Sequence, residues 1–296
     1  MKGWLADAFA TAPGCGNRAA VVLFEEGDKW WDEEKLQAYA AEQGLSETVY
    51  LKKRGKGWRT LYYTPKREIE LCGHGTIAAF AMLRLAGLIG DGEQLARTKA
   101  GIIDLNVAGD VVWMDMAPPR TLGWLSDDDA DALYAAFGIS RRQRGQGLKP
   151  EVVTSGVADV MAPVADREAL AAAVQDEEAV LELSKRLGVV GVHMFCTGEN
   201  GVTAHCRNFA PLYGIPEESA TGTSNGALTW YLYTHRLIVP GAENLFCQGE
   251  SMGQPSRIRT RLLEDGGRFL VQVGGEACVA RSSRCKAGSA NIIHHP

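Results

Sequence analysis

Residues 72–86 read CGHGTIAAFAMLRLA. From Gly75 to Ala86 this run is apolar almost all round. A surface helix carries a single apolar stripe, so the run predicts a buried helix. Residues 220–236 read ATGTSNGALTWYLYTHR, and Ser224–Arg236 predicts a second helix of the same kind. Each follows a glycine turn, Cys72-Gly73-His74-Gly75 and Ala220-Thr221-Gly222-Thr223. Gly73 and Gly222 lie 149 residues apart (222 − 73), about half of the 296-residue chain. The spacing predicts a duplicated α+β architecture: two pseudo-symmetric lobes, each a strongly curved, mostly antiparallel, barrel-like sheet around one central helix.

Working outward, short strand-like runs surround both helices. In the first half they are Ala19–Phe24, Thr48–Lys52, Trp58–Tyr63 and Val111–Met116. In the second half they are Val152–Thr154, Val189–Cys196, Gly201–Asn208 and Phe269–Val273. Further helices are predicted over Glu33–Gln43, capped by Asp32 and stopped by Gly44, and over Asp127–Phe137. Arg167–Leu187 reads as two short helices broken near Gln175–Asp176. Met116-Ala117-Pro118-Pro119 is the natural crossover. The N-terminal lobe is expected over residues 1–117 and the C-terminal lobe over 118–276. A final strand near 277–290 is expected to return to the first lobe.

Composition narrows the function. The chain is 46% hydrophobic and 23% charged, the profile of a globular protein. A net charge of −5 argues against nucleic-acid binding. The basic run Arg141, Arg142 and Arg144 reads as a solvated loop. No apolar run reaches the ~20 residues a membrane span needs, and no signal peptide is legible at the start. The seven cysteines, Cys15, Cys72, Cys196, Cys206, Cys247, Cys278 and Cys285, are odd in number and scattered. That pattern suggests free thiols in a reducing cytoplasm and carries no zinc signature.

The two glycine turns carry the chemistry. A helix N-terminus presents free N–H groups and about half a positive charge, and glycine lets a ligand approach it. Two such termini facing each other would clamp a small carboxylate. His74 stands in one turn and Glu218 beside the other. Glu47, in Leu45-Ser46-Glu47-Thr48-Val49-Tyr50-Leu51, enters a strand among apolar neighbours. Burial there is expected to raise its pKa and make it a usable acid and base. As a segment by itself, this run equally fits a surface glutamate on an edge strand.

Several motifs together resemble the phenazine-biosynthesis PhzF family, of the diaminopimelate-epimerase-like fold. They are Asp7-Ala8-Phe9, Gly16-Asn17, Leu45-Ser46-Glu47-Thr48, Tyr63-Thr64-Pro65, Cys72-Gly73-His74-Gly75-Thr76 and Thr154-Ser155-Gly156. Further along come Arg207-Asn208-Phe209-Ala210-Pro211, Glu217-Glu218-Ser219-Ala220-Thr221-Gly222-Thr223, Gln248-Gly249-Glu250 and Met252-Gly253-Gln254-Pro255-Ser256. The resemblance implies a cofactor-independent isomerase or epimerase with its active site in the cleft between lobes. It places the catalytic roles on Glu47, His74 and Glu218. It places the substrate on Asn17, Ser46, Gly73, Gly75, Gly222 and Thr223. It implies a small carboxylate substrate, no metal or other cofactor, and a homodimer. Four positions depart from the family pattern: Arg18 and Ser219 stand where Pro is usual, Glu218 where Asp is usual, and Thr223 where Ser is usual. The lost proline at Ser219 is expected to leave its turn freer.

Two other readings stay open. In related racemases two cysteines act as opposed bases. Here Cys72 precedes the first turn, while Thr223 stands at the corresponding place in the second. A Cys72-dependent racemase therefore lacks its partner thiol, and Cys72, Cys15 and Cys206 read as packing residues. The third reading is a non-catalytic binding protein that kept the fold. His193 and His205 read as structural, and His294 and His295 as a frayed tail.

Overall fold

A computed structural model describes residues 1–284. Cys285, His294, His295 and residues 285–290 of the expected last strand lie outside the described residues. The chain divides into two compact units, one of Met1–Asp115 with the segment from Gly274 onward, the other of Met116–Val273.

The first unit contains β1 (Lys2–Ala8), β2 (Asn17–Phe24), α1 (Glu33–Gln43), β3 (Glu47–Arg54), β4 (Gly57–Tyr63), β5 (Glu68–Ile69), α2 (Gly73–Leu85), β6 (Gly92–Thr98), β7 (Gly101–Ala108) and β8 (Val111–Asp115). The second contains β9 (Arg120–Trp124), α3 (Asp127–Ala135), β10 (Glu151–Thr154), β11 (Ala158–Pro163), α4 (Arg167–Ala172), α5 (Glu177–Leu187), β12 (Gly191–Thr197), β13 (Ala204–Ala210), β14 (Ile215–Glu218), α6 (Gly222–Thr234), β15 (Glu243–Gln248) and β16 (Ser256–Asp265). After β17 (Arg268–Gly275), β18 (Ala277–Arg284) pairs antiparallel with β1.

The duplication is visible in the strand pairing. In the first unit β1–β2 is antiparallel, β2–β3 parallel, β3–β4 and β4–β5 antiparallel, β4–β6 parallel and β6–β7 antiparallel. In the second, β10–β11 is antiparallel, β11–β12 parallel, β12–β13 and β13–β14 antiparallel, β13–β15 parallel and β15–β16 antiparallel. The same order recurs nine strands later. Each parallel pair needs a crossover. α1 and α2 supply it in the first unit; α4 with α5, and then α6, supply it in the second.

Both central helices are 13 residues long, and both their starts and ends are offset by 149 (222 − 73 and 234 − 85). α2 packs against β1, β2, β3, β8 and β18, so that sheet curls around it. α6 likewise packs against β9, β10, β11 and β16. Ile77, Phe80, Met82 and Leu83 of α2 are fully buried, as are Ala227, Leu228 and Tyr231 of α6. Each large apolar side chain so buried contributes roughly 1.5–3 kcal/mol. One hydroxyl in each helix is satisfied by the surrounding strands: Thr76 Oγ1 lies 2.6 Å from Tyr62 Oη, and Thr229 Oγ1 lies 2.6 Å from Thr260 Oγ1.

Local signals set the outer helices. Asp32, Ser126, Asp166 and Asp176 each cap a helix by accepting a backbone N–H. Gly44 and Gly188 end α1 and α5 in the left-handed conformation. The basic run is a brace: Arg144 pairs with Asp131 and lies 4.6 Å from the Tyr134 ring centre. Among the described residues no helix is long and apolar enough to cross a membrane.

Candidate functional site

The first cluster forms where β3 meets the start of α2. Gly44 ends α1 and the chain turns straight into β3, whose first residue is Glu47. Side chains alternate along a strand, so Glu47 shares a face with Val49. Val49 packs on α2: a Cβ added to Gly75 would sit 2.8 Å from Val49 Cγ2 and 3.2 Å from Cys72 Sγ. Gly75 is thus required by helix-to-strand packing. Its neighbour Gly73 is looser, with only Met114 Cε at 3.5 Å.

Cys72 caps α2, its sulfur accepting the Gly75 N–H at 3.3 Å. His74 follows in the first turn, 6% exposed, and its ring is held from several directions. Asn17 Nδ2 lies 3.4 Å from Nδ1, Ser46 Oγ 3.4 Å from Nε2 and Cys72 Sγ 3.5 Å from Nδ1. Glu47 Oε2 approaches Nε2 to 2.9 Å. That is ion-pair distance; Oε2 itself has no hydrogen-bond partner, while Ser46 and Cys72 help hold the carboxylate.

The electrostatics correct one expectation. Burial works against the Glu47 carboxylate, yet His74, together with Ser46 and Cys72, outweighs it, and the pKa falls below the ordinary 4.5 instead of rising. Burial likewise works against the His74 imidazolium, yet the Cys72 sulfur and the Glu47 carboxylate hold its pKa well above 6.5. Burial and the Glu47 charge push the Cys72 thiol up from 9.0, so at neutral pH it is a protonated helix cap. Strand residues alone suggested an apolar setting; the imidazole comes from a helix distant in sequence.

The second cluster surrounds the start of α6. The N-cap of α6 is Thr221, which corrects the pairing of Cys72 with Thr223: the residue capping the second helix is two positions earlier, and it too is no thiol. Thr221 Oγ1 donates to Glu218 Oε2 at 2.7 Å. The Thr223 carbonyl accepts from Ser155 Oγ at 2.9 Å. Gly222 is buried in the first helical turn.

Gln248, fully buried, holds this turn together. Its Nε2 donates to the Glu218 carbonyl at 2.7 Å and to Thr221 Oγ1 at 3.1 Å. Its Oε1 accepts from Asn225 Nδ2 at 2.8 Å and from the Thr221 N–H at 3.3 Å. Ser256 Oγ donates to the Ser219 carbonyl at 2.8 Å. The turn at Ser219 is therefore pinned, not freer, despite the missing proline. Beneath it Ser224 Oγ donates to Asp159 Oδ2 at 2.6 Å and accepts from Asn208 Nδ2 at 3.1 Å. Burial raises the Asp159 pKa to about 6 and lowers that of His193 to about 3.

Sequence reasoning did not single out Asp159, Ser224 or Gln248. Gln248 and Asn208 had a signal, since both lie in motifs quoted above; Asp159 had none. Arg18, the other residue that stands where Pro is usual, is a brace as well: it makes a two-pronged contact with buried Asp7 at 2.6 and 2.9 Å, and Asp7 also accepts the Gly14 N–H at 2.7 Å.

Comparison with known proteins agrees with this architecture. A family profile described as phenazine biosynthesis-like protein matches residues 6–283. An uncharacterized isomerase of Deinococcus radiodurans is 37% identical over 291 residues, covering 93% of this chain and 91% of its own length. The trans-2,3-dihydro-3-hydroxyanthranilate isomerase of Pseudomonas aeruginosa is 29% identical over 287 residues, covering 94% and 96%. The crystal structure of a PhzF-family phenazine biosynthesis protein of Bacillus anthracis superposes with a TM-score of 0.86 at 24% identity, covering 95% of this chain and 97% of that one. With the repeated strand order, the two buried helices and a match along nearly the whole chain, this protein belongs to the phenazine biosynthesis-like PhzF family and is an isomerase.

Proposed function

We propose that the chain moves a proton between two positions of a small carboxylate-bearing substrate without a cofactor, with Glu47 as the group that takes and returns it. One observation carries this reading: a buried carboxylate oxygen, 2.9 Å from His74 Nε2, that lacks a well-formed hydrogen bond. Such an oxygen has a lone pair to offer. The ion pair keeps Glu47 in its basic form at neutral pH, at the expense of basicity. The C–H it attacks must therefore be acidified by a neighbouring carbonyl, carboxylate or enol. His74, as imidazolium, is suited to stabilise the developing charge or deliver a proton. Asn17 and Ser46 orient the ring. Backbone N–H groups at the start of α2, around Gly73, suit a carboxylate, and so do those at the start of α6, around Gly222 and Thr223. Glu218 is assigned the orienting or second-transfer role.

The substrate class rests on those N–H groups and on the Pseudomonas aeruginosa relative, whose name describes a cyclic amino acid. The test is a screen of small cyclic and amino-acid carboxylates in heavy water, read by mass spectrometry. Deuterium uptake that vanishes in Glu47→Gln supports the assignment; uptake that persists there removes it.

A further inference from the structure

Glu47, Cys72 and His74 have a capability beyond proton transfer. One donor atom from each lies within 4.8 Å of the others. Oε2 is 2.9 Å from Nε2, and Sγ is 3.8 Å from Nε2. Zinc binds sulfur at ~2.3 Å and nitrogen or oxygen at ~2.0–2.2 Å in a tetrahedron, which sets ligand-to-ligand edges of roughly 3.3–3.6 Å. The sulfur-to-nitrogen edge is a few tenths of an ångström long and the nitrogen-to-oxygen edge about half an ångström short. The third edge, sulfur to oxygen, lies within 4.8 Å, so side-chain rotations that move a donor by about an ångström bring the three onto one ion. Thiolate, imidazole and carboxylate form a donor set suited to zinc.

The surroundings also suit a metal. The Gly75 N–H already donates to Sγ and would remain a donor to a metal-bound sulfur. With Nε2 on a metal, Nδ1 carries the ring proton and needs an outer acceptor. The Asn17 amide stands 3.4 Å away and supplies its oxygen if turned over. Oε2 is buried and lacks a well-formed hydrogen bond. The three residues have no metal-ligand spacing along the chain, so only the fold brings them together.

The geometry points to a latent site for a thiophilic divalent cation, zinc or cobalt, at Glu47, Cys72 and His74. On binding, the ion sheds water ligands, and the Cys72 S–H and His74 Nε2–H bonds break. Both protons pass to solvent, the freed sulfur and nitrogen lone pairs form the metal–sulfur and metal–nitrogen bonds, and nothing is oxidised or reduced. Three protein ligands leave a position for water or a carboxylate, so the ion is exchangeable.

The experiment titrates the reduced full-length protein with cobalt(II), following the near-ultraviolet thiolate-to-cobalt absorption, and then displaces cobalt with zinc. One site per chain is expected. Cys72→Ser should abolish the band and Glu47→Gln should weaken zinc binding at least tenfold, both checked for folding by circular dichroism. Asn17→Ala should weaken it about tenfold through the outer contact. Cys247→Ser and Cys278→Ser should keep the band. Absence of a band at millimolar cobalt, its survival in Cys72→Ser, or its loss in Cys247→Ser or Cys278→Ser overturns the proposal. Should Cys72→Ser fail to fold, undiminished zinc affinity in Glu47→Gln and Asn17→Ala overturns it equally. This readout needs no turnover, so it stands or falls apart from the proton-transfer reading.

Discussion

Replacing Glu47 by Gln tests both the chemistry and the electrostatics of the first cluster. Gln fills nearly the same space but cannot hold the charge or return a proton. A positioned acid–base group contributes ~10²–10⁴-fold in rate, so the barrier should rise by roughly 3–5 kcal/mol. Stability should fall less than for most broken buried pairs, because His74 can shed its proton instead of remaining as a stranded charge. About 1–3 kcal/mol is expected, or roughly 2–10 °C in melting temperature. The pH dependence gives the sharper test. Glu47 is depressed below 4.5, so its share of the stability is present above that value and is lost as pH falls through the lower folded value. His74 is raised above 6.5, so its share is complete below 6.5 and is lost as pH rises through the higher folded value. The melting gap between wild type and Glu47→Gln should be widest between pH 4.5 and 6.5 and narrow on either side. Melting curves at several pH values, beside deuterium exchange on the same samples, measure both. A variant keeping more than about a tenth of the exchange, or a gap that does not change with pH, refutes the reasoning.

Other outcomes follow from the same geometry. Gly75→Ala should destabilise by about 1–3 kcal/mol, since the new methyl meets Val49 and the Cys72 sulfur; a melting temperature equal to wild type would contradict that packing. Cys72→Ser should slow exchange by less than about tenfold, because a serine hydroxyl also caps a helix; complete loss without unfolding would favour the Cys-dependent racemase. Glu218→Asp should lower turnover on the native substrate, since a carboxylate shortened by ~1.5 Å leaves the Thr221 hydroxyl behind; an equal or faster variant would mean the substitution has no bearing on specificity. Light scattering should give a homodimer, and a mass near the 32.0 kDa of one chain at micromolar concentration would refute it.

The sequence by itself determined the elements whose cause is local. Runs apolar on every side can only be stable when surrounded, and that is enough to read α2 and α6 as central helices and to infer the sheets around them. Asp32 and Gly44 act within one turn of their own positions, so the ends of α1 were legible too. Among the strands that were not read, β6, β7, β15 and β16 have side chains that alternate weakly or carry charge, and their place is set by partners. Tertiary structure alone decided whatever depends on groups meeting through space. Glu47 looked like a carboxylate headed for an apolar site, and His74 made it an ion pair. Gly75 looked like an opening for a ligand, and Val49 made it a packing requirement. Ser219 looked like a loosened turn, and Ser256 and Gln248 fixed it. Charge state, packing clearance and hydrogen-bond completion are properties of neighbours, and the neighbours of these residues are chosen by how the sheets curl around the helices.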